Sequence, residues 1–212
     1  MTEILTREEA KKLDYFIEYP NSDYSYQTED EYYHLIRGWK DLLEWFNTTY
    51  FYSYDNGDYE YQTEDKYYHL IRDGKNLLEG KDAINCYSYN NGDYDYQTKD
   101  EYYHLIRGWK DLLEGKNAID CNSYDNRDYK YKTEDKYNHL IRNWEDLLEW
   151  LNAINCNSYN NGDYSYKIKN EFCYLIRNKV NLLEWLNAIC CSSDNGGYDY
   201  KTKDGVWQPI EN

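Results

Sequence analysis

The sequence contains no long apolar run and no surplus of positive charge. No stretch approaches the eighteen or so residues of a membrane span, and the first seventeen residues lack the basic and then apolar pattern of a signal peptide. The 24 Lys and Arg residues face 40 Asp and Glu residues, which gives a net charge of −16. Because binding to phosphate backbones depends on clustered Lys and Arg, we expect a soluble, cytoplasmic protein without direct contact to nucleic acid or membrane.

Motifs of catalysis and of cofactor binding are lacking as well. The sequence contains no GxSxG, P-loop, HExxH or dinucleotide-binding fingerprint. Acidic pairs such as Glu64-Asp65 are adjacent on the chain, so they do not converge on one substrate as an acid and a base would. The order Asp55-Asn56-Gly57 lacks the alternate spacing of a calcium-binding EF-hand loop. We therefore expect a protein that is not an enzyme and that holds no metal or cofactor.

The sequence does contain a regular repeat with a period of 35 residues. A fixed period in this range is typical of tandem arrays in which each unit buries its apolar face against its neighbours. The period predicts a solenoid-like array with a capping helix in residues 1–17, five units in residues 18–191, and a capping hairpin and tail in residues 192–212. Within the first cap, residues 6–17 are predicted to be helical and begin with a capping box of Thr6 and Glu9. The hexapeptide YYHLIR or a close variant of it begins at Tyr32, Tyr67, Tyr102, Tyr137 and Phe172.

Each unit is predicted to be a Tyr-rich β-hairpin followed by an amphipathic helix, which makes the fold class α+β. The hairpin is indicated by dipeptides such as Asn91-Gly92 between two short Tyr-rich runs, and the helix start by capping boxes such as Thr98 with Glu101. Gly38 and its equivalents tolerate a left-handed backbone and could split the helix in two, but we favour a continuous or kinked helix. The apolar stripe of the first helix comprises Tyr32, Leu35, Ile36, Trp39, Leu42, Leu43 and Phe46.

The period also places several reactive residue types at equivalent positions of successive units. Helices stacked about 8 to 10 Å apart cannot bring such a series around one metal ion or into disulfides, so structural roles are favoured. Cys173, Cys190 and Cys191 could approach one another in the last unit, but no CxxC spacing supports a redox or metal site there. The Arg and Glu residues of these series are predicted to form ion pairs between units. The series are Cys86, Cys121, Cys156 and Cys191; His34, His69, His104 and His139; Arg37, Arg72, Arg107, Arg142 and Arg177; and Glu44, Glu79, Glu114, Glu149 and Glu184.

Tyrosine, with 29 copies, provides the candidate functional surface. A two-residue loop at Asn91-Gly92 would pair Tyr89 with Tyr94 and Tyr87 with Tyr96, and would place all four rings on one face of the hairpin. Tyrosine is common in recognition surfaces because it joins a large ring to a hydrogen-bonding tip. The alternative is that the rings cover the helix layer. The candidate binding residues are Tyr52, Tyr54, Tyr59, Tyr61, Tyr87, Tyr89, Tyr94, Tyr96, Tyr124, Tyr129, Tyr159 and Tyr164.

Three functions are compatible with these features. The leading hypothesis is a repeat protein that binds another protein, which could be a basic one, through its acidic, Tyr-rich surface. The second is a nucleic-acid mimic whose regularly spaced carboxylates occupy the basic groove of a DNA- or RNA-binding protein. The third is glycan binding by the aromatic face. The sequence leaves the identity of the partner and the oligomeric state open.

Overall fold

The computed structural model describes residues 4–38, 40–43, 47–183, 186–194 and 197–210, and the regular secondary structure of these residues is almost entirely β. They contain a single helix, α1, of four residues at Arg7–Ala10. The chain divides into two units, residues 1–100 and 101–212. The strands of the first unit are β1 Phe16–Glu18, β2 Tyr24–Gln27, β3 Tyr33–Arg37, β4 Lys40–Asp41, β5 Thr48–Ser53, β6 Tyr59–Thr63, β7 Tyr68–Arg72, β8 Lys75–Asn76, β9 Ala83–Ser88 and β10 Tyr94–Thr98.

The second unit contains the remaining thirteen strands. They are β11 Tyr103–Arg107, β12 Lys110–Asp111, β13 Ala118–Ser123, β14 Tyr129–Thr133, β15 Asn138–Arg142, β16 Glu145–Asp146, β17 Ala153–Ser158, β18 Tyr164–Ile168, β19 Cys173–Arg177, β20 Val180–Asn181, β21 Cys190–Asp194, β22 Gly197–Lys201 and β23 Trp207–Pro209.

The repeat is an antiparallel group of four strands in which each strand pairs with the next along the chain. In the first unit, β1 to β4 and β5 to β8 are complete groups, and β9 and β10 form a further hairpin. In the second unit, β13 to β16 and β17 to β20 are complete groups, and β21 to β23 form a three-stranded sheet. The 35-residue period therefore describes an all-β unit, and the predicted α+β fold class is wrong.

The segment predicted as the start of a helix is the third strand of each group. Leu35 and Ile36 are adjacent in β3, so their side chains point to opposite faces of the sheet, yet both are buried. A strand buried on both faces carries a continuous apolar run, and periodicity alone does not distinguish such a run from a buried helix. Leu42 and Leu43, which continued the predicted stripe, follow the short strand β4, while Trp39 and Phe46 lie outside the described residues.

The position of Gly38 and its equivalents, where the sequence allows a helix break, instead begins a tight turn between the third and fourth strands. Asp73 and Gly74 connect β7 to β8 with φ angles of 49° and 75°. Two successive residues with positive φ are the geometry of a two-residue hairpin loop, and Asp-Gly is one of its preferred sequences. The left-handed tendency of this position was predicted, but it closes a hairpin.

The threonines predicted to cap helices close turns between the second and third strands. The Lys66 amide donates to the Thr63 carbonyl at 2.8 Å, and Lys136 donates to Thr133 in the same way. The Thr63 hydroxyl donates to Asp65. Thr and Asp side chains bond nearby backbone groups in turns as readily as at helix N-termini. A Thr followed by acidic residues therefore does not distinguish a turn from the start of a helix.

The first hairpin of each group has a register one residue away from the predicted one. The Gly92 amide donates to the Tyr89 carbonyl at 2.9 Å, and the Tyr89 amide donates to Asp93 at 2.9 Å, so the loop has three residues, not two. Gly92 takes a φ of 81°, as expected for a type I turn that ends in a left-handed residue. In consequence Tyr94 lies opposite Ser88, and the tyrosines are divided between the two faces of the hairpin.

The two ends of the chain differ from the repeats. Helix α1 begins with the predicted capping box of Thr6 and Glu9 but ends at Ala10, which is shorter than the helix predicted for residues 6–17. The Arg7 guanidinium lies 5.3 Å from the centre of the Tyr24 ring and donates to the Ser22 carbonyl. At the other end the predicted hairpin is formed by β21 and β22. Among the described residues, no helix has the length and apolar character to cross a membrane.

Candidate binding cleft

Within the first unit, a buried polar cluster connects one hairpin to the next group of strands. Asp58 follows the turn at Asn56-Gly57, is 5% exposed, and accepts a bond from Arg72 at 2.7 Å. It also accepts the phenolic hydrogen of Tyr94 at 2.9 Å, 36 residues further along the chain. The Arg72 guanidinium lies 5.3 Å from the centre of the Tyr94 ring and donates to the Gly92 carbonyl. A carboxylate removed from water in this way needs several donors, and this cluster supplies them.

In the part of the chain that the structure describes, four of the five Arg residues of the series pair with Asp, whereas the sequence predicted pairs with the Glu series. The turn carboxylate lies at the tip of the first hairpin, and the Arg side chain lies at the end of the third strand of the same group. In the described part of the Glu series, Glu149 forms an ion pair with Lys116 at 3.0 Å, while Glu44 and Glu184 lie outside the described residues. The observed Arg–Asp pairs are Arg37–Asp23, Arg72–Asp58, Arg142–Asp128 and Arg177–Asp163.

Several of the candidate tyrosines belong to the core. Tyr94 illustrates their role, because its ring is covered by Arg72 and its hydroxyl is bonded to Asp58. Burial raises the pKa of such phenols, which stay protonated and act as donors. The described residues form no helix layer for these rings to cover, but the rings of Tyr59, Tyr61, Tyr94, Tyr96 and Tyr129 are buried between strands, all at most 2% exposed.

Two candidate tyrosines are exposed on neighbouring hairpins of the first unit. Tyr52 on β5 is 51% exposed and Tyr87 on β9 is 61% exposed. Each contacts the tyrosine two residues further on in an edge-to-face arrangement, with ring centres 5.0 Å apart for Tyr52 and Tyr54 and 5.3 Å for Tyr87 and Tyr89. The half-buried tyrosine of each pair fixes the exposed one at the surface, because edge-to-face rings attract each other.

A cleft of about 440 Å³ lies beside these rings, between the tips of the two hairpins. Tyr54 forms part of its wall and contacts the Tyr94 ring edge-to-face, with ring centres 5.2 Å apart. Asp55, Asn56 and Asn90 are exposed at the turns. We call this the aromatic–acidic cleft, and its lining residues are Tyr52, Tyr54, Asp55, Asn56, Ser88, Tyr89, Asn90, Gly92 and Tyr94.

Two buried carboxyl groups lie behind the cleft. Tyr54 donates its hydroxyl hydrogen to Glu60, and Tyr89 does the same to Asp95. Burial raises the pKa of Glu60 and raises that of Asp95 to about 6. Among the described residues, β5–β6 and β9–β10 are the hairpins that combine a buried acid with an exposed tyrosine, whereas Lys130 and Ser165 occupy the equivalent positions of the next two hairpins.

The two hairpins that form the cleft carry only negatively charged residues. Residues 48–63 and 83–98, which form the two hairpins, contain five Asp or Glu residues and no Lys or Arg. The hairpin of residues 118–133 in the second unit contains Arg127, Lys130 and Lys132. Residues 1–100 hold 22 acidic and 10 basic residues, a net −12, whereas residues 101–212 hold 18 and 14, a net −4. The negative charge of the protein is thus concentrated in the unit that contains the cleft.

The candidate tyrosines of the second unit are not arranged in this way. Tyr124 donates to the Cys156 carbonyl at 3.2 Å, and Tyr159 bonds to Ser165 at 3.0 Å. The Tyr164 ring is covered by Arg142, whose guanidinium lies 5.4 Å from the ring centre. The positions that correspond to Tyr52 and Tyr87 are Asn122 and Asn157.

The histidines have structural partners within their own groups of strands. The Nδ1 atom of His34 lies 2.5 Å from Asp41, and its ring stacks on Tyr26 with centres 4.8 Å apart. The same stack joins Tyr131 to His139. In the described ranges, no three His, Cys, Asp or Glu side chains are grouped so that they could hold a metal ion. None of the six cysteines forms a disulfide.

The sequence interpretation missed the acidic and amide residues of the cleft and several exposed tryptophans. Asp55, Asn56 and Asn90 are not among the candidate binding residues named from the sequence, although an acidic surface is expected and the long stretch without Lys or Arg is visible there. Trp109 and Trp144 occupy the position of Trp39 in the predicted buried stripe, but they follow the third strand at the turn and are more than half exposed.

The chain matches no known protein family, and no curated protein is similar to it in sequence. Solved structures with some similarity include the WD40 β-propeller domain of Doa1, with 12% identity, 89% of this chain and 74% of that chain covered, and a TM-score of 0.30. YCF48 bound to D1 peptide gives 11% identity, coverages of 93% and 86%, and a TM-score of 0.34. BBS1N in complex with ARL6DN gives 8% identity, coverages of 89% of this chain and 87% of that chain, and a TM-score of 0.31. Similarity of this size says nothing about what the chain binds.

Proposed function

We propose that the protein is a non-enzymatic repeat protein that binds a basic segment of a partner protein in the aromatic–acidic cleft. The observation that carries this proposal is the coincidence of exposed rings and negative charge at one place. Tyr52 and Tyr87 are exposed on two neighbouring hairpins that contain acidic residues and no Lys or Arg.

The chemistry of the cleft suits a Lys or Arg side chain. A cation attracts the face of a tyrosine ring by about 0.5–2 kcal/mol, depending on how far both are removed from water. Asp55 supplies a carboxylate beside the Tyr52 and Tyr54 rings, and Asn56 and Asn90 supply amide groups. The net charge of the first unit would also increase the rate at which a basic partner encounters it.

Fluorescence anisotropy with a panel of short Lys- and Arg-rich peptides tests this proposal. Tyr52→Ala and Asp55→Asn should each weaken binding roughly tenfold, because each removes a contact of about 1–2 kcal/mol. The matched controls are Asp125→Asn, the equivalent turn residue of the second unit, and Trp144→Ala, which removes an exposed ring elsewhere. Equal losses for the controls, or no binding of any basic peptide, would contradict the proposal.

A nucleic-acid mimic would respond differently to the same variants. Its binding would depend on many carboxylates, so that it would collapse with added salt and be competed by DNA, with little effect of Tyr52→Ala. Glycan binding is the other candidate, because exposed rings flanked by Asp and Asn side chains also suit sugars. A glycan array with the unaltered protein and with Tyr52→Ala separates that function from peptide binding.

A further inference from the structure

A second cavity, of about 210 Å³, lies in the second unit and is lined by four of the six cysteines. Cys156 on β17 and Cys191 on β21 belong to the periodic series, and Cys190 precedes Cys191. Cys173 on β19 occupies the position held by Tyr33, Tyr68, Tyr103 and Asn138 in the other repeats. Only in this repeat, therefore, does a cysteine of the third strand lie next to a cysteine of the periodic series.

The backbone brings Cys173 and Cys191 together. The Cys173 amide donates to the Ala188 carbonyl at 2.6 Å, so the end of β19 is joined to the segment that leads into β21. Both side chains pack, half-buried, against the same hydrophobic cluster, and both line the cavity. The cavity gives small molecules a route to this pair of sulfur atoms.

The groups around Cys191 favour its thiolate. Hydrogen bonds from Cys173, Ser165 and Tyr159 lower the pKa of Cys191, whereas the pKa of Cys173 is raised because its proton is held between the two sulfurs. Lys167, a positively charged residue, also lines the cavity. A thiolate is the form of cysteine that reacts with oxidants and electrophiles.

The other described cysteines of the series lie in different surroundings. Burial raises the pKa of Cys86 well above its ordinary value and raises that of Cys156 to about 12. Cys121 is buried in β13. Cys86 and Cys156 therefore remain protonated at neutral pH, and the thiols of Cys86, Cys121 and Cys156 serve as internal references for the reactivity of Cys191.

We propose that Cys191 is an oxidation-sensitive thiol and that Cys173 is its resolving partner, with a hydroperoxide as the oxidant. The Cys191 thiolate attacks one oxygen of hydrogen peroxide, which forms an S–O bond, breaks the O–O bond and releases hydroxide. The sulfur is oxidised to a sulfenic acid and the peroxide is reduced. The Cys173 sulfur then attacks the sulfenic sulfur, an S–S bond forms, and the hydroxyl leaves as water with the proton of Cys173.

The first test is peptide mapping by mass spectrometry of the full chain after mild treatment with hydrogen peroxide. The expected product is a disulfide that joins the peptides of Cys173 and Cys191, reversed by a thiol reductant. Alkylation with iodoacetamide at pH 7 should modify Cys191 first in the native protein, whereas all six thiols should react alike in urea. A dominant Cys190–Cys191 or Cys156–Cys191 link, or equal alkylation of all cysteines in the native protein, would overturn the assignment.

A second variant keeps the proposal testable if the disulfide does not form. In Cys173→Ser the sulfenic acid has no resolving thiol, so it should accumulate at Cys191 and be captured by dimedone. Cys121→Ser is the matched control and should leave both the disulfide and the dimedone result unchanged. Dimedone capture that is absent in Cys173→Ser, or that is distributed over several cysteines, would contradict the role of Cys191.

Discussion

Tyr59 donates its phenolic hydrogen to Asp23, 36 residues earlier in the chain, at a distance of 2.9 Å. Asn21 donates to the same phenolic oxygen, and Arg37 both bonds Asp23 and covers the Tyr59 ring. Tyr94 and Asp58 repeat this arrangement one period later. The period of the sequence is therefore set by a contact between neighbouring repeats, which requires an Asp, an Arg and a Tyr at fixed distances along the chain.

Removal of the phenolic hydroxyl tests how much this contact contributes. Tyr94→Phe keeps the ring under Arg72 but leaves buried Asp58 with one donor fewer. We expect the free energy of unfolding to fall by about 1–3 kcal/mol, the cost of an unsatisfied buried polar group. Urea denaturation monitored by circular dichroism measures it. Tyr87→Phe is the control, because Tyr87 is 61% exposed. An equal loss of unfolding free energy in both variants would show that the buried Tyr94–Asp58 hydrogen bond makes no specific contribution.

The arginine of the cluster should matter more than the tyrosine. Arg72 bonds Asp58, donates to the Gly92 carbonyl and covers the Tyr94 ring. Arg72→Ala leaves a buried carboxylate without its cation, and we expect a loss of about 3–5 kcal/mol.

Arg72→Lys should retain part of that stability, because a lysine keeps the charge but lacks the planar fork that bonds two partners at once. Lys12→Ala, at an exposed site of the first unit, controls for the loss of one positive charge. Equal midpoints of urea denaturation for Arg72→Ala and Lys12→Ala would rule out the buried pair as a stabilising contact.

The sequence predicted the features that depend on local chemistry. The capping box at Thr6, the left-handed position at Asp73 and the hairpin tip at Asn91-Gly92 all follow from side chains that bond their own backbone or from residues that accept positive φ. These positions form turns or caps in the structure. The period and the equivalence of residues 35 apart were equally visible.

The features that depend on tertiary packing were not predicted. A run such as Tyr-His-Leu-Ile-Arg fits a buried helix and a doubly buried strand equally well, and only the neighbouring strands decide between them. The faces of the tyrosines depend on whether the loop has two or three residues, and one residue of register moves every side chain to the other face. For this reason Tyr94 is in the core, whereas Tyr87 is exposed.

Stability should depend on pH through Asp95, because burial raises its folded pKa to about 6. An unfolded Asp has a pKa near 3.9. The contribution of Asp95 is thus fully present below about pH 4 and is lost as the pH rises to 6, since the unfolded chain ionises first. Asp95→Asn should remove this loss and be more stable than the unaltered protein at pH 7 by about 1–3 kcal/mol.

Urea denaturation of both proteins at pH 4, 5, 6 and 7 measures this difference. The advantage of Asp95→Asn should shrink toward pH 4, where the carboxyl group is neutral in both states. Asp55→Asn, at an exposed position of the neighbouring hairpin, controls for the removal of one negative charge from the first unit. A constant difference across the four pH values would exclude a raised pKa at Asp95 as its cause.

The hairpin tip of residues 124–128 should gain stability from a glycine. Arg127 has a φ of 67° where Gly57, Gly92 and Gly162 occupy the equivalent position with φ values above 80°. A side chain in the left-handed region costs about 1–2 kcal/mol, and glycine avoids that cost while adding some freedom to the unfolded chain. Arg127→Gly should therefore raise the free energy of unfolding by about 1 kcal/mol, as measured by urea denaturation. Gly162→Ala should lower the free energy of unfolding by a similar amount, even though the space around Gly162 is open to a methyl group. Changes of the same sign in both variants would show that φ does not decide the stability of these turns.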